Sequence, residues 1–442
     1  MIKKLKEYKG IIADLLKLSL PILGGNLSQI LISFADTATA GRYSTLALGA
    51  VSVASAILMT VTIGAIGLIL SVSPVISNFR GEKIPSKKYF KLTILFALLV
   101  SIPFFLIIEL ISKNIQHFGF EQDLAFYVKQ YIEITAWSVF PTAIFVALKE
   151  FLQAWEKVIV PNLLMFFMVI LNVILNIILT FGFDFGSIHI PSLGVVGLSL
   201  ATLISKTIAP VFMILYCLPL FKTPCHFSKK YLKDLFKIGT PISLAMFFEF
   251  LGFNLTAILI GKFSALFAGV HNIVLCIANL TFMIVLSVSS AASIKIGYFN
   301  GKKDKENIIK YSVANIFSIL AICFVMFLVM IFKSDFIIKI FTNDLEVLRL
   351  SKKILKIVIC FLFFDGFQAG CVGILKGLKD TKIIMKIMLF GYLGIAIPLG
   401  TYVAYFHGYV LEGYWTGLAL ALFFAAVVAG RRVVKDITEM KV

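Results

Sequence analysis

Apolar positions in this chain fall in long unbroken blocks. Twelve runs stand out, at residues 18–41, 46–78, 91–112, 129–154, 159–181, 194–219, 238–261, 267–296, 311–332, 355–377, 385–406 and 413–431, separated by short polar segments. A helix needs about 20 apolar residues to cross the hydrocarbon core of a bilayer, and the runs are of that order. The pattern predicts an all-α polytopic membrane protein with twelve transmembrane helices. The every-second-residue alternation of an outer-membrane barrel is missing.

The blocks also repeat. Residues 15–83 align with 235–303 at a constant offset of 220 and without a gap. Asp14, Leu15, Pro21, Gly41, Gly81 and Lys83 recur as Asp234, Leu235, Pro241, Gly261, Gly301 and Lys303. Six spans separate the copies, an even number, so both enter the membrane from the same side as parallel repeats. Two pseudo-twofold-related six-helix lobes follow, and a cleft between them is the expected product. The domains read as an N-terminal amphipathic segment along the membrane surface (1–17), an N-lobe (18–219), a cytoplasmic linker (220–237), a C-lobe (238–431) and a cytoplasmic tail (432–442). Pro21 and Pro241 recur in the first span of each lobe, either as static kinks or as points of bending.

Composition agrees with the pattern. Of 442 residues 60% are apolar and 14% charged, against about a quarter charged in soluble domains. The net charge of +18 invites a nucleic-acid reading, and its placement rejects one. With the N-terminus in the cytoplasm and lysines near span ends counted to the adjoining side, 30 of the 41 Lys and Arg fall to the cytoplasmic side, ten to the opposite side, and Lys206 to the middle of a span. This positive-inside bias puts both termini in the cytoplasm, in a cytoplasmic (inner) membrane, with the excess charge against anionic lipid heads. No small-residue cleavage site follows the first run, so it reads as an uncleaved span. Neither CxxC, HExxH, GxSxG nor a Walker loop occurs, so no disulfide framework, enzyme or ATPase is indicated. The bilayer is the expected partner, and two fused lobes suffice as a monomer.

Four acids lie within spans: Asp36, Glu133, Glu249 and Asp365. A carboxylate at a helix centre costs on the order of 3 kcal/mol even on lenient scales, so each needs a partner, a proton or a task. Asp36 ends a polar stripe of Asn26, Gln29 and Ser33 on span 1; Asn172 and Asn176 stand one turn apart on span 5, and Thr202 lies in span 6. One carboxylate, two amides and a hydroxyl offer oxygen ligands, which suit Na⁺ or a shuttled proton. Glu249 and Asp365 sit in matching surroundings, FFEFLGF at 247–253 and FLFFDGF at 361–367. Phe walls disfavour the charge of a carboxylate, and ring faces attract a flat organic cation. Gln29, Ser33, Phe253, Phe364 and Gln368 are accordingly candidates to line a substrate cleft. At the offset of 220, Asp36 aligns with Thr256 and Glu249 with Gln29, so these acids are not inherited symmetry. Glu133, near a span end, reads as structural with a snorkelling side chain. Lys206 either pairs with an acid or snorkels.

These residues resemble the MATE (multidrug and toxic compound extrusion) family, most of all its NorM branch. The resemblance rests on PILGGNLSQILISFADTATAG at 21–41, the Gly-Glu/Lys-Lys turns after spans 2 and 8, FFEFLGF in span 7 and FFDGFQAGCVGILKGLKDT at 363–381. It implies a secondary active efflux antiporter that exports amphiphilic, mostly cationic compounds in exchange for Na⁺ or H⁺ by alternating access. It also implies an N-lobe cation site at Asp36, Asn172, Asn176 and Thr202 and coupling acids at Glu249 and Asp365, with Na⁺ at either set and no further cofactor. Leu198 departs from the small residue frequent beside the N-lobe site. The alternative is a lipid-linked saccharide flippase of the same superfamily; one Lys against four acids in the spans favours a cationic cargo.

Overall fold

A computed structural model of the chain describes residues 2–185 and 188–440. Among these residues twelve helices are long and apolar enough to cross a membrane. They are α1 (Ile2–Tyr43), α2 (Thr45–Gly81), α3 (Ser86–Lys113), α4 (Gln122–Ala154), α5 (Ile159–Phe181), α6 (Gly194–Tyr216), α7 (Lys229–Gly261), α8 (Ala265–Gly301), α9 (Lys305–Lys339), α10 (Leu345–Gly377), α11 (Lys382–His407) and α12 (Val410–Glu439). Each apolar run of the sequence corresponds to one of them. The twelve-helix architecture predicted from the pattern is therefore the one observed.

Polar side chains start several of these helices, and the repeat preserves them. Ser44 accepts the Ala47 N–H at 3.0 Å at the start of α2, and Ser264, 220 residues on, accepts the Leu266 N–H at 3.1 Å at the start of α8. These caps satisfy donors that the first helical turn leaves open. The chain turns after α2, α4, α8 and α10 through residues with positive φ, namely Lys83, Glu156, Lys303 and Lys379. Three local features go beyond the apolar pattern. Helix α1 runs unbroken through residue 17, where the sequence reading draws a domain boundary. A two-stranded antiparallel hairpin, β1 (Phe183–Phe185) and β2 (Ile188–Ile190), fills the α5–α6 connection. Within α11, Leu389–Ala396 winds as a π-helix just before Pro398.

The chain divides into two compact units. One comprises Gly24–Ile76 and Ile84–Ser243; the other comprises Met1–Leu23, Ser77–Lys83 and Leu244–Val442. The chain passes between them four times, and two of the passages, at Leu23–Gly24 and Ser243–Leu244, are related by the repeat's own offset. Pro21 and Pro241 stand two residues before these points. Each lacks the N–H that would bond back along its helix, which removes one backbone hydrogen bond from the turn before it.

In the first unit, Ala47, Ala50, Val51 and Ala54 of α2 pack with Ile108 of α3, Val128, Tyr131 and Ile132 of α4 and Leu198 of α6. Small residues let helices approach closely where hydrophobic burial no longer drives association. The start of α7 belongs to this unit. The Ser243 hydroxyl donates to the Gly64 carbonyl at 2.8 Å, and a Cβ on Gly67 would run into the Ser243 backbone.

In the second unit, Val285, Val288, Ile319, Cys323, Leu362 and Ala369 form a core of α8, α9 and α10. The Ser289 hydroxyl donates to the Ala369 carbonyl at 2.6 Å. The end of α2 meets the end of α8 reciprocally: a Cβ on Gly81 would strike the Tyr298 carbonyl, and one on Gly301 would strike the Asn78 carbonyl. Because 81 pairs with 298 and 301 with 78, the contact is self-complementary across the repeat, as at a twofold interface. The first part of α1 is anchored here as well, Asp14 accepting from Lys295 at 2.8 Å and from the Tyr311 hydroxyl at 2.7 Å.

Candidate functional site

The polar groups predicted on spans 1, 5 and 6 come together in the first unit. Asp36 projects from the last two turns of α1 and is 6% exposed, and Asn172, Asn176 and Thr202 are buried around it. The Asn176 amide donates to Asp36 Oδ1 at 2.7 Å and also faces Asn172 Oδ1 at 3.1 Å. The Thr202 hydroxyl donates to Asp36 Oδ2 at 3.1 Å. The one-turn spacing of the two asparagines stacks them on a single face of α5, so α1, α5 and α6 share one network. Two of its atoms, Asn176 Oδ1 and Asn172 Nδ2, have no hydrogen-bond partner. A buried acceptor left over beside a carboxylate is an oxygen available to a cation.

Two further residues belong to this cluster. Tyr131 of α4 is 2% exposed, and its phenol interacts with Thr202 and Asp36. Lys206 stands one turn beyond Thr202 on α6, and its charge acts on Asp36. It makes no ion pair within 4.0 Å with Asp36, so neither of the two fates the sequence allows for this lysine is fixed by a direct contact.

A second cluster lies in the second unit around Glu249 of α7 and Asp365 of α10, whose charges act on one another. The Tyr392 hydroxyl donates to Glu249 Oε1 at 3.4 Å. Tyr392 sits in the π-helical turn of α11 and is 2% exposed. Gly252 of α7 makes its approach possible, since a Cβ there would come within 2.7 Å of the Tyr392 Cβ. π-Turns of this kind cluster at functional positions. Lys376 also acts on Glu249, and it lies 11 residues, about three turns, beyond Asp365 on the same face of α10.

The Phe residues flanking these acids do not form one wall. Phe361 stacks on Trp415 at 5.9 Å, Phe363 meets Phe327 at 5.7 Å, and Phe364 meets Phe423 edge-on at 5.0 Å. Of the cleft candidates, Gln29, Ser33 and Phe364 are exposed on their own units. Phe253 is half-buried against Tyr392 at 5.5 Å, and Gln368 is buried. Glu133 is exposed and pairs with Lys129 at 3.7 Å, away from either cluster. Lys206, Tyr131, Tyr392 and Lys376 are the additions that sequence reasoning did not assign. Lys206 was conspicuous as a charge in a span; Lys376, three turns after Asp365, and Tyr392, flanked by Gly391 and Gly394, left fainter signals, and Tyr131 left none.

Twelve helices able to span a membrane, with Asp36 buried on a polar network, are the architecture of a multi-pass membrane protein. The comparisons give the family. The MatE family model matches residues 21–178 and 241–402, two segments whose starts are again 220 residues apart, and the chain belongs to that family. It is 29% identical over 433 residues to a probable multidrug resistance protein NorM of Photorhabdus laumondii, covering 94% of this chain and 93% of that one. It is 27% identical over 445 residues to the multidrug resistance protein NorM of Vibrio cholerae, covering 96% of each. Its fold matches that of the Vibrio cholerae MATE transporter VcmN in the bent form with a TM-score of 0.88, at 20% identity over 98% of this chain and 99% of that one. The eukaryotic MATE transporter AtDTX14 gives 0.86, at 18% identity over 98% of each.

Proposed function

We propose that this chain is a multidrug efflux antiporter of the cytoplasmic membrane. It exports amphiphilic, mostly cationic compounds in exchange for Na⁺ or H⁺ by alternating access, with both termini in the cytoplasm. The observation that carries the reading is the Asp36–Asn176–Asn172–Thr202 network. A buried carboxylate held by neutral donors, beside an unpartnered amide oxygen, has the chemistry of a monovalent-cation or proton site. Glu249 and Asp365 form a second acidic pair whose mutual charge a proton, a Na⁺ ion or an organic cation relieves. An ion moves the conformational equilibrium only by binding one state more tightly than the other. Neutralising an acid in one state alone supplies that difference, and the cargo loses its electrostatic partner in the same step.

The test is uptake of ethidium into inverted vesicles under separately imposed Na⁺ and H⁺ gradients. Wild type takes up dye under one of the two, and Asp36→Asn or the pair Glu249→Gln/Asp365→Asn lowers the rate at least about tenfold, an effect of 1.4 kcal/mol or more. Full coupled uptake in both variants contradicts the mechanism. The flippase alternative predicts no ion-driven uptake of dye at all. It also calls for cations facing a pyrophosphate, whereas the charges of Lys206 and Lys376 act on Asp36 and Glu249.

A further inference from the structure

We propose that the Lys206 ammonium is a tethered stand-in for the coupling ion at Asp36: it neutralises the carboxylate when the site is empty and is displaced when the ion binds. The inference rests on the reading of Asp36 as an ion site and names the group that competes there. It begins with charge balance. The hydrogen-bond partners of Asp36 are a neutral amide and a neutral hydroxyl, and a buried carboxylate left in their company alone is costly. Lys206 lies mid-helix in the first unit, at position 13 of the 23 residues of α6; Lys149, buried near the end of α4, has Glu150 as the charge acting on it. Asp36 is the acid whose charge acts on it.

Geometry makes the exchange feasible. Thr202 and Lys206 are four residues apart, one helical turn of about 5.4 Å, and the Thr202 hydroxyl is 3.1 Å from the carboxylate. Side chains on a helix lean toward its N-terminus, so Lys206 leans from its own turn toward that of Thr202. Its flexible four-carbon stem carries a compact ammonium. Yet no ion pair within 4.0 Å joins Lys206 to Asp36; the amide and hydroxyl occupy both carboxylate oxygens. Lys206 is near enough to exert its charge and is not a fixed partner, as a competitor must be. Tyr131 completes the titratable groups of the cluster.

The consequence is a trade-off. The ammonium keeps the empty site stable and so permits the ion-free protein to change state. It also opposes the incoming ion, which raises the concentration needed to fill the site.

The experiment follows thermal unfolding of the purified full-length chain in detergent, against Na⁺ at fixed pH and against pH without Na⁺. The variants are Asp36→Asn, Lys206→Met, Lys206→Gln, Lys206→Arg and Asp36→Asn/Lys206→Met. In wild type one of the two ions stabilises the protein, and Asp36→Asn removes that transition. Lys206→Met and Lys206→Gln lower the half-saturating concentration of that ion by about ten- to a hundredfold, the scale of a unit charge a few ångströms away in a partly polar medium. Lys206→Arg stays within about threefold of wild type, since it keeps the charge. Asp36→Asn/Lys206→Met unfolds at a higher temperature than Asp36→Asn, which leaves the ammonium uncompensated. Half-saturation unchanged or raised in both neutral variants overturns the role of Lys206 while leaving the ion site standing. A wild type with no Asp36-dependent transition overturns the site reading itself.

Discussion

At Asp36 a single carboxylate organises three helices, and the cost of each partner can be measured. A hydrogen bond to a charged group contributes about 1.5–3 kcal/mol. Asn176→Ala is expected to lose about 2 kcal/mol of stability in the native background and under about 0.5 in the Asp36→Asn background, because the amide acts through the carboxylate. Equal losses in both backgrounds would make Asn176 a packing residue. The hydroxyl of Tyr392 sets a matching case: with a longer contact to Glu249, Tyr392→Phe and Glu249→Gln should couple by about 1 kcal/mol in a double-mutant cycle. Purely additive losses would remove Tyr392 from the second cluster. The acids and asparagines were legible in the sequence because charged and amide side chains are conspicuous inside apolar runs. Tyr131 and Tyr392 were not, since a tyrosine in an apolar run is ordinary core until its hydroxyl finds a polar partner. Lys206 was visible as a charge within a span, and only the structure placed Asp36 within electrostatic reach of it.

Helices carry the next scale. Ser44 and Ser264 cap α2 and α8 at equivalent places, and Ser44→Ala or Ser264→Ala should each cost about 1 kcal/mol of stability. The crossing of α2 and α8 at Gly81 and Gly301 is stricter, because backbone lies where a Cβ would go. Gly81→Val and Gly301→Val are each expected to destabilise by roughly 1–3 kcal/mol or more, read as a lower unfolding temperature in detergent. No loss from either would show that the two helix ends are free to separate. Helix number followed from run length alone, because a span must match the bilayer whatever it packs against; the limits did not, since α1, α9, α10 and α12 continue past their apolar runs into polar sequence. The π-turn at Leu389–Ala396 was not legible: widening one turn leaves the hydropathy of the run unchanged. The β1–β2 hairpin escaped for a related reason, three-residue strands being too short to show a period.

For the whole molecule, the duplication at an offset of 220 was plain in the sequence, and the division of the chain between its two compact units was not. That the first part of α1 belongs with the second unit, and the start of α7 with the first, depends on tertiary contacts of Asp14 and Ser243 that no local pattern encodes. The proposed topology makes its own prediction. Cys225 is exposed in the α6–α7 connection, which the charge bias places in the cytoplasm. A membrane-impermeant maleimide should label it in inverted vesicles and not in intact cells, with Cys225→Ser as the blank; labelling from outside would reverse the orientation. The central claim, that cargo and ion exchange through the buried acids, is tested most directly by running the exchange backwards. Proteoliposomes with no ion gradient receive a gradient of ethidium, and an ion-sensitive dye reports Na⁺ or H⁺ moving the opposite way. Counterflow of one ion in wild type, absent in Asp36→Asn, is the predicted result. Dye movement with no ion flux would contradict antiport.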